Sequence, residues 1–293
     1  MNTQDIISIA SSHLQSLPGH LFDIISISKP PSIDSAQNLS KIISKLSPLV
    51  GNLIEFNIVD YLNTNLNLKN IGHWVRQDPG FPDTIFSSEI LPTPGFEVKA
   101  WFPLATEITA RFKDSQNHFI EDQTHVAILA WLPEFVIYGK PKIIDILITS
   151  GRSVAAARDN HYHNPPNYVV LEPEDTSNRT KNLQQTNTNG YKFQIEKGDI
   201  KTAEKFVETW GESGKKYSTE RQYQEQLREL LRKFDFRLDT NFAKMDRIRH
   251  SEIEAFKQKI LHTKIANRTI KEWTTALNKG NENIFEELLY LKE

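Results

Sequence analysis

The spacing of apolar and polar positions along the chain predicts several elements in turn. Residues 1–70 carry apolar side chains at roughly helical spacing, with breaks near Pro18 and Pro30. Pro48 suits the first turn of a further helix. The side of that helix predicted to be buried carries Leu49, Leu53, Phe56 and Tyr61.

Strand patterns follow this helical region. Residues 71–81 have the composition of a loop, and short strands are predicted at 83–86 and 96–102. The continuous apolar runs at 125–132 and 142–149 are typical of central strands covered on both faces. A helix over 152–163 and a strand over 167–173 follow them. The pattern predicts an α/β (α+β) fold, with a central mixed β-sheet flanked by helices.

The rest of the chain is predicted to be mostly helical. Residues 174–200 are polar and are predicted to form a loop, and from about residue 202 the pattern is again that of charged, amphipathic helices. We therefore expect helical additions at both the N- and C-terminal ends. The predicted division is a domain over 1–200 and a helical C-terminal region over 201–293, within the same domain or as a subdomain.

Composition excludes several classes of site. The chain has no cysteine, which rules out disulfides and thiolate metal ligands, and its formal net charge is −2. The first residues lack the basic start of a secretory signal, and no run of about 18 apolar residues is present. We expect a cytoplasmic protein with no membrane span. Any basic surface for nucleic acid would have to be local.

One small group of residues carries a recognisable chemistry. Pro82 and Asp83 open one predicted strand, and Glu97, Val98 and Lys99 lie on the next. Because side chains alternate along a strand, Glu97 and Lys99 project from one face, on which Asp83 can converge if the strands pair. Two carboxylates suit Mg²⁺, to which the Val98 carbonyl can add a ligand, and the ammonium group can orient a water. The alternative is a surface hairpin with a solvated Glu–Lys pair.

This arrangement resembles the PD-(D/E)XK nuclease superfamily, with PD at 82–83 and EVK at 97–99. The resemblance covers residues 48–175 and implies a restriction-endonuclease-like fold. It implies that Asp83 and Glu97 ligate Mg²⁺ and that Lys99 supports the attacking water. Glu55 matches the place where such enzymes put a further acidic residue near the site, although a solvated helix face explains it equally well.

The resemblance implies a type II restriction endonuclease that makes Mg²⁺-dependent, sequence-specific double-strand breaks in DNA. Such enzymes usually act as homodimers on palindromic sites, and a DNA methyltransferase is the expected genetic partner. Two alternatives stay open: a repair or nicking nuclease of the same fold, and a DNA-binding protein without catalytic activity.

Two segments are candidates for DNA contact. The first is the helix over 152–163, and the second is the polar loop that follows the last predicted strand of the sheet. Amide and guanidinium groups can read bases, but an ordinary polar loop explains the second segment equally well. The two histidines of the first segment, spaced to bind a transition metal, are more simply structural. The candidate residues are Arg152, Arg158, His161, His163, Arg179, Lys181, Gln184, Gln185 and Asn187.

Overall fold

A computed structural model describes most of the chain. The described residues are 1–77, 80–104, 116–119, 121–163, 168–171, 174–175, 177, 191–194, 199–216, 218–233, 250–280 and 282–291. Two compact units are distinguished, one formed by Met1–His161 with Ala243–Glu293 and the other by Tyr162–Phe242. This division differs from the predicted boundary near residue 200, because the C-terminal helices belong to the unit that contains the large sheet.

A five-stranded mixed sheet forms the centre of the first unit, as the sequence predicts. The strands lie in the order β1-β2-β3-β4-β5, and only the β3–β4 pair is parallel. Their bounds are β1 His73–Arg76, β2 Thr84–Ser87, β3 Gly95–Trp101, β4 Thr124–Pro133 and β5 Pro141–Ser150. A short 3-10 turn, Gln116–Phe119, precedes β4.

The burial of β4 and β5 follows from their places in the sheet. β4 has neighbours on both sides and is buried along almost its whole length, as its apolar run predicts. β5 is the last strand and is mostly half-buried, so the prediction that both faces are covered fits β4 better than β5. An apolar run indicates a buried strand without telling which neighbour covers it.

β1 was predicted to be part of a loop, and this prediction is wrong. Its four residues pair antiparallel with β2, and Trp74 packs against Phe86 and Phe96 at ring-centroid distances of 5.2 and 5.3 Å. A four-residue segment has too little periodicity to be recognised alone. The strand depends on the aromatic cluster beneath it.

The N-terminal region contains two helices, α1 Thr3–Leu14 and α2 Ile33–Asn63. Between them the chain is not helical, contrary to the spacing of its apolar residues; it runs beside the β4–β5 connection through bridges of Leu21 to Lys142 and Ile27 to Gly139. Asn2 caps α1 through a reciprocal bond with Asp5.

α2 is one helix of 31 residues, although Pro48 was predicted to begin a new one. Proline lacks the N–H that would bind the Ser44 carbonyl one turn earlier. The Ser47 hydroxyl donates to that carbonyl at 2.7 Å instead, so the carbonyl keeps a partner. The helix can therefore continue through the proline.

The buried side of α2 differs from the predicted one. Val50, Ile54 and Ile58 are fully buried, whereas Leu49 and Phe56, predicted to be buried, are exposed. Both sides of this helix are apolar, so periodicity alone could not select the side that meets the sheet. The buried side of α2 contacts β1, β3 and the last helix of the chain.

The same composition makes α2 the one helix, among the described residues, that is long and apolar enough to cross a membrane. A core helix of a soluble protein meets this criterion equally well. The criterion considers length and composition alone. The sequence had suggested no such segment, because polar residues interrupt every long apolar run.

The C-terminal part of the first unit consists of α7 Ser251–His262, the small hairpin β8 Lys264–Ile265 and β9 Arg268–Thr269, then α8 Ile270–Lys279 and α9 Glu282–Leu289. α7 lies against β5, where Glu252 binds Thr149 and Lys259 pairs with Asp145. α9 packs on α2, and the Tyr138 hydroxyl donates to the Leu288 carbonyl at 3.1 Å. These helices complete the core around the sheet.

α3, Gly151–His163, follows β5 directly and was predicted with nearly these bounds. The second unit holds a two-stranded sheet, β6 Tyr168–Leu171 and β7 Tyr191–Gln194, with helices α4 Ile200–Glu208, α5 Glu212–Lys215 and α6 Arg221–Lys233. The strand predicted at 167–173 is therefore real but does not belong to the central sheet. It pairs instead with β7, which lies within the segment that was predicted to be a loop.

Candidate active site

β2 pairs with only the first two residues of β3, so the rest of that edge of β3 has no strand partner among the described residues. β2 pairs with β3 through Thr84 with Phe96 and Ile85 with Gly95, and the chain before Thr84 is Pro82-Asp83. A Cβ on Gly95 would lie 2.5 Å from Cγ of Pro82, so glycine allows this close approach. In register, Pro82 would oppose Val98, but proline has no N–H to extend the ladder.

Two carboxylates occupy this open edge. The N–H of Val98 donates to Oδ2 of Asp83 at 2.8 Å, and the N–H of Ala100 donates to Oε1 of Glu55 at 3.2 Å. The N–H and C=O of one strand residue point to the same side, so the Val98 carbonyl also faces this edge. Side chains thus replace the missing strand and bring oxygen atoms together.

Glu55 reaches the edge because α2 packs closely on β3. Gly51, one turn before Glu55, is near the side chain of Ala100, and a Cβ built on Gly51 would lie 3.5 Å from Cβ of Ala100. One helical turn places Glu55 on the same face of α2 as Gly51. Glu55 therefore lies close to the residues of the motif, as the resemblance implies.

Lys99 connects the carboxylates on the sheet. Its Nζ lies 2.7 Å from Oε1 of Glu97 and 3.3 Å from Oδ2 of Asp83. The N–H of Asp83 also donates to Oε2 of Glu97 at 3.3 Å. The side chain of Asp83 is 34% exposed, that of Lys99 23% and that of Glu97 11%. The three residues of the motif form one cluster, open to solvent on the side of Asp83.

Burial changes the acidity of this cluster. The pKa of Glu97 is raised to about 7. Burial is the largest cause and the nearby Asp83 adds to the rise, while Lys99 partly opposes it. Burial also raises the pKa of Glu55, again against the attraction of Lys99. For Lys99 burial acts to lower the pKa, but Glu97, Asp83 and Glu55 together outweigh it and raise the pKa. The lysine therefore stays charged, and Glu97 is poised to lose a proton near neutral pH.

We expect Glu97→Gln to stabilise the protein more at pH 8 than at pH 5 in a metal-free buffer. The folded protein holds the Glu97 proton more tightly than the unfolded chain, whose ordinary pKa is 4.5. Wild-type stability therefore falls as pH rises from about 4.5 to about 7, and glutamine removes that loss. Thermal unfolding at both pH values measures the effect, with Glu89→Gln as an exposed control. An equal change in melting temperature at the two pH values would contradict the pKa shift.

Sequence reasoning missed Arg76, which ends β1 beside this cluster. Its charge lowers the pKa of Glu55, and its guanidinium lies 5.1 Å from the ring centroid of Phe56. Nothing in the motif points to this residue, because its segment was predicted to be a loop. Strand pairing brings it next to Thr84, one residue from Asp83. It adds a second cation to the site.

The oxygen atoms of this cluster fit a magnesium site in which the protein supplies only some of the ligands. Among the described residues no group of three or more His, Asp or Glu side chains could hold a metal. The available donors are the Asp83 and Glu97 carboxylates and the Val98 carbonyl, all hard oxygens. Mg²⁺ commonly uses one or two carboxylates and fills its other positions with water and substrate oxygens. Burial raises the pKa of Glu97 despite the adjacent Lys99, and a metal ion beside this carboxylate would favour its charged form.

The candidate DNA contacts are placed less completely. Arg152 is exposed in the first turn of α3, whereas Arg158 is buried with Asp159 on the inner face of that helix. Asp159 accepts a bond from Gln116 at 3.0 Å. Buried as it is, Arg158 does not offer its guanidinium to a DNA groove. Residues 154, 155, 158 and 159 share the side of α3 that packs inward, which the assignment of Arg158 by charge alone did not consider.

The remaining predicted contacts cannot be compared with the structure. His161 and His163 lie in the last turn of α3, and their side chains are outside the described part of the chain. The loop residues Arg179, Lys181, Gln184, Gln185 and Asn187 are outside the described residues altogether. Their roles stay predictions from the sequence.

Arg152 lies at the start of α3, which is joined to the loop before β2 through one aromatic ring. Phe81, two residues before Asp83, packs on Phe119 with ring centroids 5.4 Å apart. A Cβ on Gly151 would lie 3.2 Å from the ring of that same Phe119. Through Phe119 the start of α3 and the loop before β2 are neighbours. Arg152 follows Gly151 directly, and its side chain is exposed.

Comparisons of the chain with models of known protein families, with curated proteins and with solved structures found no match.

Proposed function

We propose that this protein is a Mg²⁺-dependent endonuclease that hydrolyses phosphodiester bonds in double-stranded DNA, and specifically a type II restriction endonuclease. The proposal depends above all on one observation: Lys99 contacts both Asp83 and Glu97 within a partly open cluster at the edge of β3. Residues separated by 14 positions in the sequence meet there in the arrangement that the PD-(D/E)XK resemblance implies.

Each residue of the cluster has a distinct chemical role. Asp83, Glu97 and the Val98 carbonyl would hold the metal. When bound, Mg²⁺ polarises the phosphate and lowers the pKa of a coordinated water. Lys99 positions the attacking water and offsets negative charge that grows on the phosphate oxygens. Glu55, whose pKa burial raises, is a candidate to accept a proton from the attacking water.

A purely structural role explains the cluster less well. Replacing a buried ion group by apolar residues is often neutral or stabilising, so burial of charge is poor evidence of a structural purpose. Here three carboxylates gather around Lys99, and burial drives up the pKa of two of them. Perturbed ionisable groups in a recess are typical of catalytic sites.

Positive charge near the cluster supports a phosphate substrate. Arg76 lies beside Glu55, and Arg152 is exposed at the start of α3 near the loop before Asp83. With a formal net charge of −2, a local arrangement of cations is what would attract DNA. The proposal includes a homodimer acting on a palindromic site in the cytoplasm, and a methyltransferase that protects the host sequence.

The test is incubation of the full chain with supercoiled plasmids and unmethylated genomic DNA in Mg²⁺ or Mn²⁺. We expect discrete double-strand breaks, whose sites are found by sequencing the fragment ends. Open-circle product would instead indicate a nicking or repair nuclease. Tight DNA binding without cleavage would indicate a non-catalytic DNA-binding protein. Intact DNA and no binding, in both metals, would refute the proposal.

A further inference from the structure

Arg76 and Phe56 form an exposed pair beside the candidate active site. Arg76 ends β1, and Phe56 follows Glu55 in α2. The guanidinium carbon of Arg76 lies 5.1 Å from the centroid of the Phe56 ring. Arg76 is exposed, and Phe56 is 55% exposed. Most of the ring is therefore outside the core, and it contacts a cation next to the site.

The register of the sheet places Arg76 on the opposite face from Lys99. Arg76 is opposite Thr84 in β2, and Thr84 is opposite Phe96 in β3, so Arg76 and Phe96 project from one face. Because side chains alternate along a strand, Lys99 projects from the other face. Asp83 directly precedes Thr84. The cluster of carboxylates therefore has a cation on each face of the sheet.

Glu55 connects Arg76 with the cluster on the α2 face. The Glu55 carboxylate accepts the N–H of Ala100 at the open edge of β3, at 3.2 Å. Burial raises the pKa of Glu55, and the charge of Arg76 is one of those that oppose this rise. Arg76 is thus close enough to influence the charges of the site from the α2 face.

We propose that Arg76 binds a DNA phosphate group next to the one that is cut, and that the Phe56 ring holds the guanidinium in position for it. This inference rests on the proposed function, in which Lys99 and the metal act on the phosphate that is cut. Lys99 does so from the other face of the sheet. A cation on the α2 face would therefore meet a neighbouring phosphate.

The contact with an aromatic ring suits arginine to this role. A guanidinium that lies over a ring uses its flat face for the contact, while its N–H groups point outward in the plane of the group. Two of these N–H groups match two oxygens of a phosphate. The ring also restricts a long side chain, so less conformational freedom is lost when the phosphate binds. Lysine at position 76 would keep the charge and lose this geometry.

The first experiment measures DNA binding without cleavage, with short fluorescent duplexes of several sequences in Ca²⁺ at pH 8 and at increasing salt. One phosphate contact contributes about 0.9 to the slope of log affinity against log salt. We expect Arg76→Gln to lower the slope by about 1 and to weaken binding about tenfold at about 0.1 M salt, alike for all sequences. Lys69→Gln is the matched control, because it removes an exposed positive charge between α2 and β1; it should keep the wild-type slope.

The outcomes separate this inference from the proposed function. A wild-type protein that binds no duplex would refute both. Wild-type binding with an unchanged slope and affinity in Arg76→Gln would overturn the inference alone. Equal losses in Arg76→Gln and Lys69→Gln would show a general effect of surface charge and would also overturn it. A lower melting temperature of Arg76→Gln with unchanged DNA binding would leave the pair a purely structural contact between β1 and α2.

The second experiment tests the positioning role of Phe56 by plasmid cleavage in Mg²⁺. We expect Arg76→Gln to raise KM about tenfold and to leave kcat within a few-fold, because the contact is the same in the ground and transition states. Phe56→Leu should raise KM less, and Phe56→Tyr, which keeps the ring, should cut like wild type. Wild-type KM in Phe56→Leu would overturn the positioning role. A loss of kcat at unchanged KM in Arg76→Gln would place Arg76 at the phosphate that is cut and overturn the assignment to its neighbour.

Discussion

Asp83→Asn and Lys99→Met are each expected to lower DNA cleavage by about 10³-fold or more while the protein stays folded. Asparagine keeps an oxygen that can accept the Val98 N–H but loses the charge that would bind the metal. Methionine retains most of the length of Lys99 and removes the ammonium group that contacts Asp83 and Glu97. Initial rates on a plasmid substrate, with circular dichroism for folding, measure the effect.

Two exposed residues provide matched controls for these variants. Glu89→Gln removes a carboxylate from the connection between β2 and β3, and Lys69→Met removes an exposed lysine after α2. Both should cut at the wild-type rate. Activity within a few-fold of wild type in either Asp83→Asn or Lys99→Met would remove these residues from the mechanism. A loss in the controls too would point to a general effect of surface charge.

Cleavage is expected to require Mg²⁺ or Mn²⁺ absolutely, with no product in excess EDTA. Ca²⁺ should support DNA binding without cutting, because it takes the same hard oxygen ligands but holds them in a looser geometry. The proposed donors are the Asp83 and Glu97 carboxylates with the Val98 carbonyl. Full activity in EDTA would contradict this, whatever the activity of the variants.

The affinity for Mg²⁺ should also depend on pH. A metal binds the deprotonated carboxylate, and the pKa of Glu97 is raised to about 7. Below that pKa, each pH unit should weaken apparent binding by about tenfold, and above it the affinity should level off. Calorimetric titration of the DNA-free protein at pH 6, 7 and 8 measures this. Glu97→Gln should bind weakly at every pH and lose the dependence.

The sequence predicted the central sheet and the cluster for the same physical reason. A long apolar run, as in β4, and an alternation of apolar and polar residues, as in β3, both indicate a β-strand. Once β2 and β3 pair, Asp83 must lie near Glu97 and Lys99. At this site the local sequence pattern and the pairing of the two strands lead to the same arrangement of residues.

Other features depended on contacts that no local pattern contains. Arg76 joins the site only because β1 pairs with β2, and four residues give no periodicity to detect. α2 has two apolar sides, and the sequence pattern pointed to the exposed one, with Leu49 and Phe56, as buried. Arg158 was assigned to DNA because it is charged, but its helix turns it inward. In each case a neighbour distant in sequence decides the outcome.

The open edge of β3 has an evolutionary consequence. Asp83 and Glu55 each satisfy a backbone N–H that has lost its strand partner, so the fold itself needs an acceptor at both positions. Selection for stability alone would therefore favour Asp or Asn at 83 and Glu or Gln at 55 in descendants that had lost the proposed nuclease activity. Within the cluster described above, Lys99 contacts the carboxylates of Asp83 and Glu97 and not a backbone group. In such a lineage position 99 would drift first, and it is the position at which loss of activity would be recorded.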